Sequence, residues 1–121
     1  MSDEKHYPEI TLQKARGDWN PMWDLILELD PEYLEAFLAF RSVPIKNGPL
    51  PQKYKELIFI AINAATTHLH ASGVRRHIQN ALKAGATKAE ILEVIQLVSI
   101  MGIHSMSLAG PILQEETQAK R

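Results

Sequence analysis

Two histidines carry the first chemical signal in this 121-residue chain. His70 and His77 stand seven residues apart. On a helix that is two turns, so both imidazoles project from one side. Gly73 lies between them and adds no side chain, which predicts open space beside the rings. His77 also interrupts an apolar repeat of Val74, Ile78, Ala81 and Leu82. Three readings fit such a pair. The first is a core histidine satisfied by a backbone carbonyl. The others are a proton-transfer site and a metal site, since imidazole serves both near neutral pH.

A second signal is polar. Gln52, Glu56, Asn63 and Thr67 fall on one narrow strip of an otherwise apolar segment. That strip either faces water or lines a pocket. If it lines a pocket, Glu56 is placed to orient an imidazole. His68 and His104 add further imidazoles. The pattern His-x-His-x6-His lacks the tight i, i+4 pair that marks zinc proteases. A divalent metal held by His70, His77 and His104, or by Glu56 in place of one, is nevertheless an alternative. Arg75-Arg76 reads as a solvated face or as a carboxylate clamp, because the guanidinium fork matches a carboxylate.

Other chemistry is excluded or disfavoured. The chain has no cysteine, so disulfides, thiolate attack and Cys-ligated clusters are impossible. Thirteen basic residues oppose fourteen acidic ones, which disfavours charge-driven nucleic-acid binding. The first ten residues carry no signal-peptide core. The apolar stretches 57–65 and 91–103 each fall short of the roughly 20 residues a membrane span needs. The expectation is a soluble cytoplasmic protein with no membrane or nucleic-acid partner.

The elements that must position these residues all read as helices. Asn20-Pro21 and Asp30-Pro31 each put a capping side chain before a proline at the first helical position. They predict helices over 21–29 and 31–41, followed by a loop from Val43-Pro44 to Pro51. A third helix over 52–67 is apolar nearly all round, which predicts a central, buried one. A fourth spans 70–84 and ends at Gly85. Thr87-Lys88-Ala89-Glu90 reads as a capping box opening a fifth. Gly102 interrupts the fifth, and a last helix covers 105–116. Residues 1–17 read as a loose arm and 18–121 as one all-α domain of about six helices. Trp19, Trp23, Phe37 and Phe40 predict an aromatic surface for self-association.

These residues resemble a known family. Lys55-Glu56-Leu57-Ile58, the segment His70 to His77, and above all ALKAGATKAEILEVI at 81–95 look like the carboxymuconolactone decarboxylase and alkylhydroperoxidase D superfamily. The resemblance covers about residues 30–112. It implies an all-α bundle assembled as a homo-oligomer, a trimer or hexamer. The peroxidase branch uses a Cys-x-x-Cys pair, a His four residues later, and a Glu on the preceding helix. His77 falls on that His, His70 and Gly73 on the two cysteines, and Glu56 on the Glu. Thiol peroxidase chemistry is therefore excluded. The decarboxylase branch lacks the cysteines, keeps a His at His77 and implies no cofactor. Its His in the last helix is Leu108 here, and its usual proline is His104.

The expected function is a cofactor-independent lyase or isomerase acting on a carboxylated or lactone-type small molecule. His77 and His70 would move protons, and Glu56 would orient one imidazole. Arg75, Arg76, Gly73, Asn63 and His104 are the expected substrate contacts. A His-ligated metal enzyme and a non-catalytic, ligand-binding scaffold are the alternatives.

Overall fold

A computed structural model of the chain describes residues 6–118. Every regular element among them is helical, as the resemblance implies. The chain divides into two compact units, Met1–Lys55 and Glu56–Arg121.

The first unit holds α1 (Pro8–Ala15), α2 (Trp23–Leu29) and α3 (Pro31–Asn47). Its core is Ile10, Trp23, Leu34 and Leu38, with Trp19 packed against it. Trp19 and Trp23 meet edge to face at 5.2 Å. Trp23 is thus a core residue and Trp19 a partly buried one packed on it, while Phe37 and Phe40 are exposed. Asp30 caps α3 by accepting the Tyr33 N–H at 3.1 Å. Asn20 does less than predicted: its side chain accepts the Met22 N–H, and α2 starts only at Trp23.

Two stretches differ from the sequence reading. Residues 8–15 are a helix rather than a loose arm. The Glu35 carboxylate accepts the N–H groups of Glu9 and Ile10 at 2.8 and 3.0 Å. It satisfies donors that every helix start leaves open. α3 also continues through Pro44. Pro44 gives up one i−4 bond, and Lys46 to Glu9 and Lys55 to the Ile45 carbonyl tie down this last turn.

The second unit takes up within α4 (Gln52–Ala64). It continues with α5 (Ala71–Lys83), α6 (Lys88–Ser99), a 3-10 turn over Ile100–Ile103, and α7 (His104–Gln118). Thr87 and Glu90 form the predicted capping box, with bonds of 3.1 and 2.9 Å. Gly85 takes φ +99°, which a side chain would strain. Ile60, Ala81, Ala86 and Ile91 make the core, joined by Leu57, Ile78 and Val94.

α4 is buried on one side only, where a central helix buried nearly all round was expected. Glu56 and Asn63 are 4% and 7% exposed, while Ile58 and Ile62 are 47% and 49% exposed. Glu56 and Asn63 share the buried side with Ile60, while Ile58 and Ile62 face outward. Gln52 and Thr67, at the ends of the same strip, face water. α7 buries no residue. The 3-10 turn joins α6 to α7, so Lys88–Gln118 becomes one helical run. By length and composition alone that run could cross a membrane, which neither shorter apolar stretch in the sequence could.

Candidate functional site

The site grows from the facing sides of α4 and α5. His77 is 2% exposed. Its Nδ1 donates to Glu56 Oε1 at 2.6 Å. An ionised carboxylate can only accept, so the bond places a proton on Nδ1 and leaves Nε2 as the ring nitrogen not engaged by Glu56. Phe59, one turn after Glu56, stacks on the imidazole at 4.6 Å with 17° between planes. Burial, a carboxylate and a stacked ring together hold this imidazole in one orientation.

One turn further along α4, Asn63 donates to the Phe59 carbonyl at 2.8 Å. Its amide rests against Gly73. A Cβ at Gly73 would meet Asn63 Cγ at 2.6 Å and His70 Cδ2 at 2.8 Å. The expected hollow beside Gly73 is therefore filled. Glycine here permits close approach, because Asn63 and His70 occupy the room a side chain would take.

His70 stands at the N-cap of α5 without capping it. Its Nε2 pairs with Ser72 Oγ at 3.0 Å, and its ring meets His68 edge on at 5.7 Å. The two histidines read as one pair thus sit in different settings: His77 sealed beside Glu56, His70 at the helix start beside Ser72. His104 is exposed at the start of α7. Among the described residues no three His, Asp or Glu side chains gather into a set that could hold a metal ion. The alternative built on His70, His77 and His104 is not assembled.

Beside this group lies a cavity of about 590 Å³, lined by Asn63, Ala64, Leu69, Ala71, Val74, Arg75, Ile78 and Gln79. Its wall is mainly aliphatic, and Arg75 is the one charged residue in it. Such a lining, with a few converging polar groups, suits a small amphipathic ligand. Asn63 belongs both to the cavity wall and to the buried face of α4 that carries Glu56. The arginine pair divides. Arg75 lines the cavity, whereas Arg76 has buried Nε and Nη1 atoms with no hydrogen-bond partner among the described residues.

Residues 31–104 match the carboxymuconolactone decarboxylase family. The chain belongs to that family. A crystal structure at 1.70 Å from Burkholderia xenovorans LB400, provisionally described as a gamma-carboxymuconolactone decarboxylase subunit, shares its fold. The TM-score is 0.82 and the identity 40% over 95% of this chain. The chain spans 45% of that protein's length. No curated protein matches it.

Family membership accounts for the resemblance carried by residues 81–95 and leaves this member without cysteine. The sequence reading missed Phe59, Leu69 and Gln79. Two of these carried a signal. Phe59 lies between Glu56 and Asn63 on the helix that bears both. Gln79 and Ala71 stand four residues either side of Arg75, hence on its face. Leu69 carried none, since nothing local marks a leucine for the backbone it adopts.

Proposed function

We propose that this decarboxylase-family protein is a cofactor-independent lyase acting on a carboxylated, lactone-type small molecule. The observation that carries the reading is the buried 2.6 Å bond between His77 and Glu56. A carboxylate behind an imidazole fixes the tautomer and stabilises the imidazolium that forms during proton transfer.

In this reading Arg75 holds the substrate carboxylate at the cavity and the aliphatic wall takes the ring. The C–C bond to the departing carboxylate breaks. Its electron pair stays on the substrate as a delocalised enolate, and carbon dioxide leaves. His77 takes a proton from solvent at Nε2, Glu56 holding the imidazolium so formed, and delivers that proton to carbon. Asn63 is shared by the cavity wall and the buried face of α4 that carries Glu56, and substrate approaches His77 from that side. His70, paired with Ser72, is a second proton carrier at the helix start.

The working form is a homo-oligomer. An α7 that buries nothing and an α4 with outward isoleucines both leave apolar surface that a second copy would cover.

The test is carbon dioxide release from gamma-carboxymuconolactone by wild type, His77→Gln and Glu56→Gln. His77→Gln should lose about 10²–10⁴-fold, the usual worth of a positioned acid or base. Folded variants with undiminished turnover would sink the assignment. Ligand binding without turnover in wild type would leave the scaffold reading.

A further inference from the structure

Leu69 bears two costs that folding does not explain. Its φ is +45°, in the left-handed region. It is the one non-glycine residue with positive φ among the described residues. A residue with a Cβ is strained there, which is why helices that end in this conformation usually place glycine at the position. Its side chain is also 69% exposed, so the leucine gains little burial in return.

The strain is held from both sides. The Leu69 N–H bonds the Ala65 carbonyl at 2.9 Å, and the His70 N–H bonds the Asn63 carbonyl at 2.8 Å. The segment after α4 is thereby clamped, and it presents the leucine side chain to the cavity wall that also carries Arg75. Strain maintained by surrounding bonds at a cavity points to a role for the side chain rather than for the turn.

We propose that Leu69 is a specificity-determining residue of this cavity: it grips the apolar end of a ligand whose carboxylate is held by Arg75. This rests on the cavity being the ligand site of the function proposed above. Of the carboxylated ligands of that reading, the lining suits one that sets a single carboxylate at Arg75 and an apolar part against Ala64, Ala71, Val74 and Ile78, for which straight-chain acids serve as probes. A shorter side chain at 69 would leave the far end of such a ligand in water.

The test uses the full chain and straight-chain carboxylates from butanoate to decanoate, with the matching alcohols, in titration calorimetry. Wild-type affinity should climb with chain length. Leu69→Gly and Leu69→Asn, both at ease in the left-handed region, should flatten that climb. The loss at the longest acid should be about tenfold, as expected when part of one leucine's burial is removed. Both variants should melt no lower than wild type. Arg75→Gln should weaken acids and spare alcohols.

An unchanged climb in Leu69→Gly would overturn the proposal. So would a melting point lowered in both variants, which would make the leucine a folding residue. Wild type that binds no alkanoate would also overturn it. In that last case the lyase reading is judged separately, by carbon dioxide release.

Discussion

His77 Nδ1 and Glu56 Oε1 lie 2.6 Å apart with their side chains 3% and 5% exposed. The two residues are separated by 21 positions in sequence, so the bond also ties α5 to α4. Breaking a buried pair by removing one partner is costly, while replacing both by apolar groups can be nearly neutral. Glu56→Leu and His77→Leu should each destabilise by about 2–4 kcal/mol. The double variant should cost less than the sum, with a coupling of about 1–3 kcal/mol. Urea unfolding of the four proteins measures this. Additive losses would mean that the bond contributes nothing beyond its separate side chains.

Gly73→Ala tests the packing one turn before His77 on α5. The added methyl would collide with the Asn63 amide and the His70 ring. Asn63 is hydrogen-bonded to the Phe59 carbonyl, so it cannot yield without releasing that bond. Alanine normally favours a helix over glycine by roughly 1 kcal/mol. Here the clash should win, with a net loss of about 1–3 kcal/mol. A variant that melts above wild type would show that the amide moves aside freely.

Most of what was legible in the fold has local determinants, Asn20-Pro21 being the local signal that misplaced a helix start by two residues. The Thr87–Glu90 capping box, Gly85 at the end of α5 and Asp30 before α3 each act within a few residues, and each is found where the sequence places it. What was not legible comes from afar. The cap of α1 is Glu35, some 26 positions away, and nothing within residues 6–17 announces it. The extension of α3 past Pro44 rests on Lys55 and Glu9 in other segments. In the site, Glu56 and His77 were legible because each breaks an apolar pattern. The filling of the space at Gly73 was not. A missing side chain gives the same sequence signal for a hollow and for close packing, and only the neighbour, Asn63, decides.

Arg76 offers a test of uncompensated burial. Its Nε and Nη1 are out of reach of water and make no hydrogen bond among the described residues. A buried donor without a partner costs about 1–3 kcal/mol. Methionine keeps the length of the stem and removes those donors. Arg76→Met should therefore stabilise the protein by about 1 kcal/mol, read as a higher urea midpoint at unchanged slope. A lower midpoint would show that the guanidinium has a partner in solution, as it would if another copy supplied a carboxylate.

The last prediction concerns α7. The last 15 residues of the helical run, α7, have no tertiary packing to hold them, and helical stability in water comes mostly from such packing. This helix gains no burial from its own chain, and it exposes Met106, Leu108, Ile112 and Leu113. Leu108 and Ile112 stand four residues apart and so share a face. A helix in this position persists only if something covers it, and a second copy brings the same need and the same surface. The protein should therefore sediment as more than one chain at micromolar concentration. Its melting temperature should rise with concentration, as mass action requires when only the folded form associates. Replacing Leu108 and Ile112 together by Lys puts two charges on that face. The variant should sediment as a single chain and lose helical signal worth about one helix. Analytical ultracentrifugation with circular dichroism on the same samples decides it. Wild type that stays a single chain with full helicity would remove the argument, and wild type that pellets with lipid vesicles would assign the same apolar run to a membrane instead.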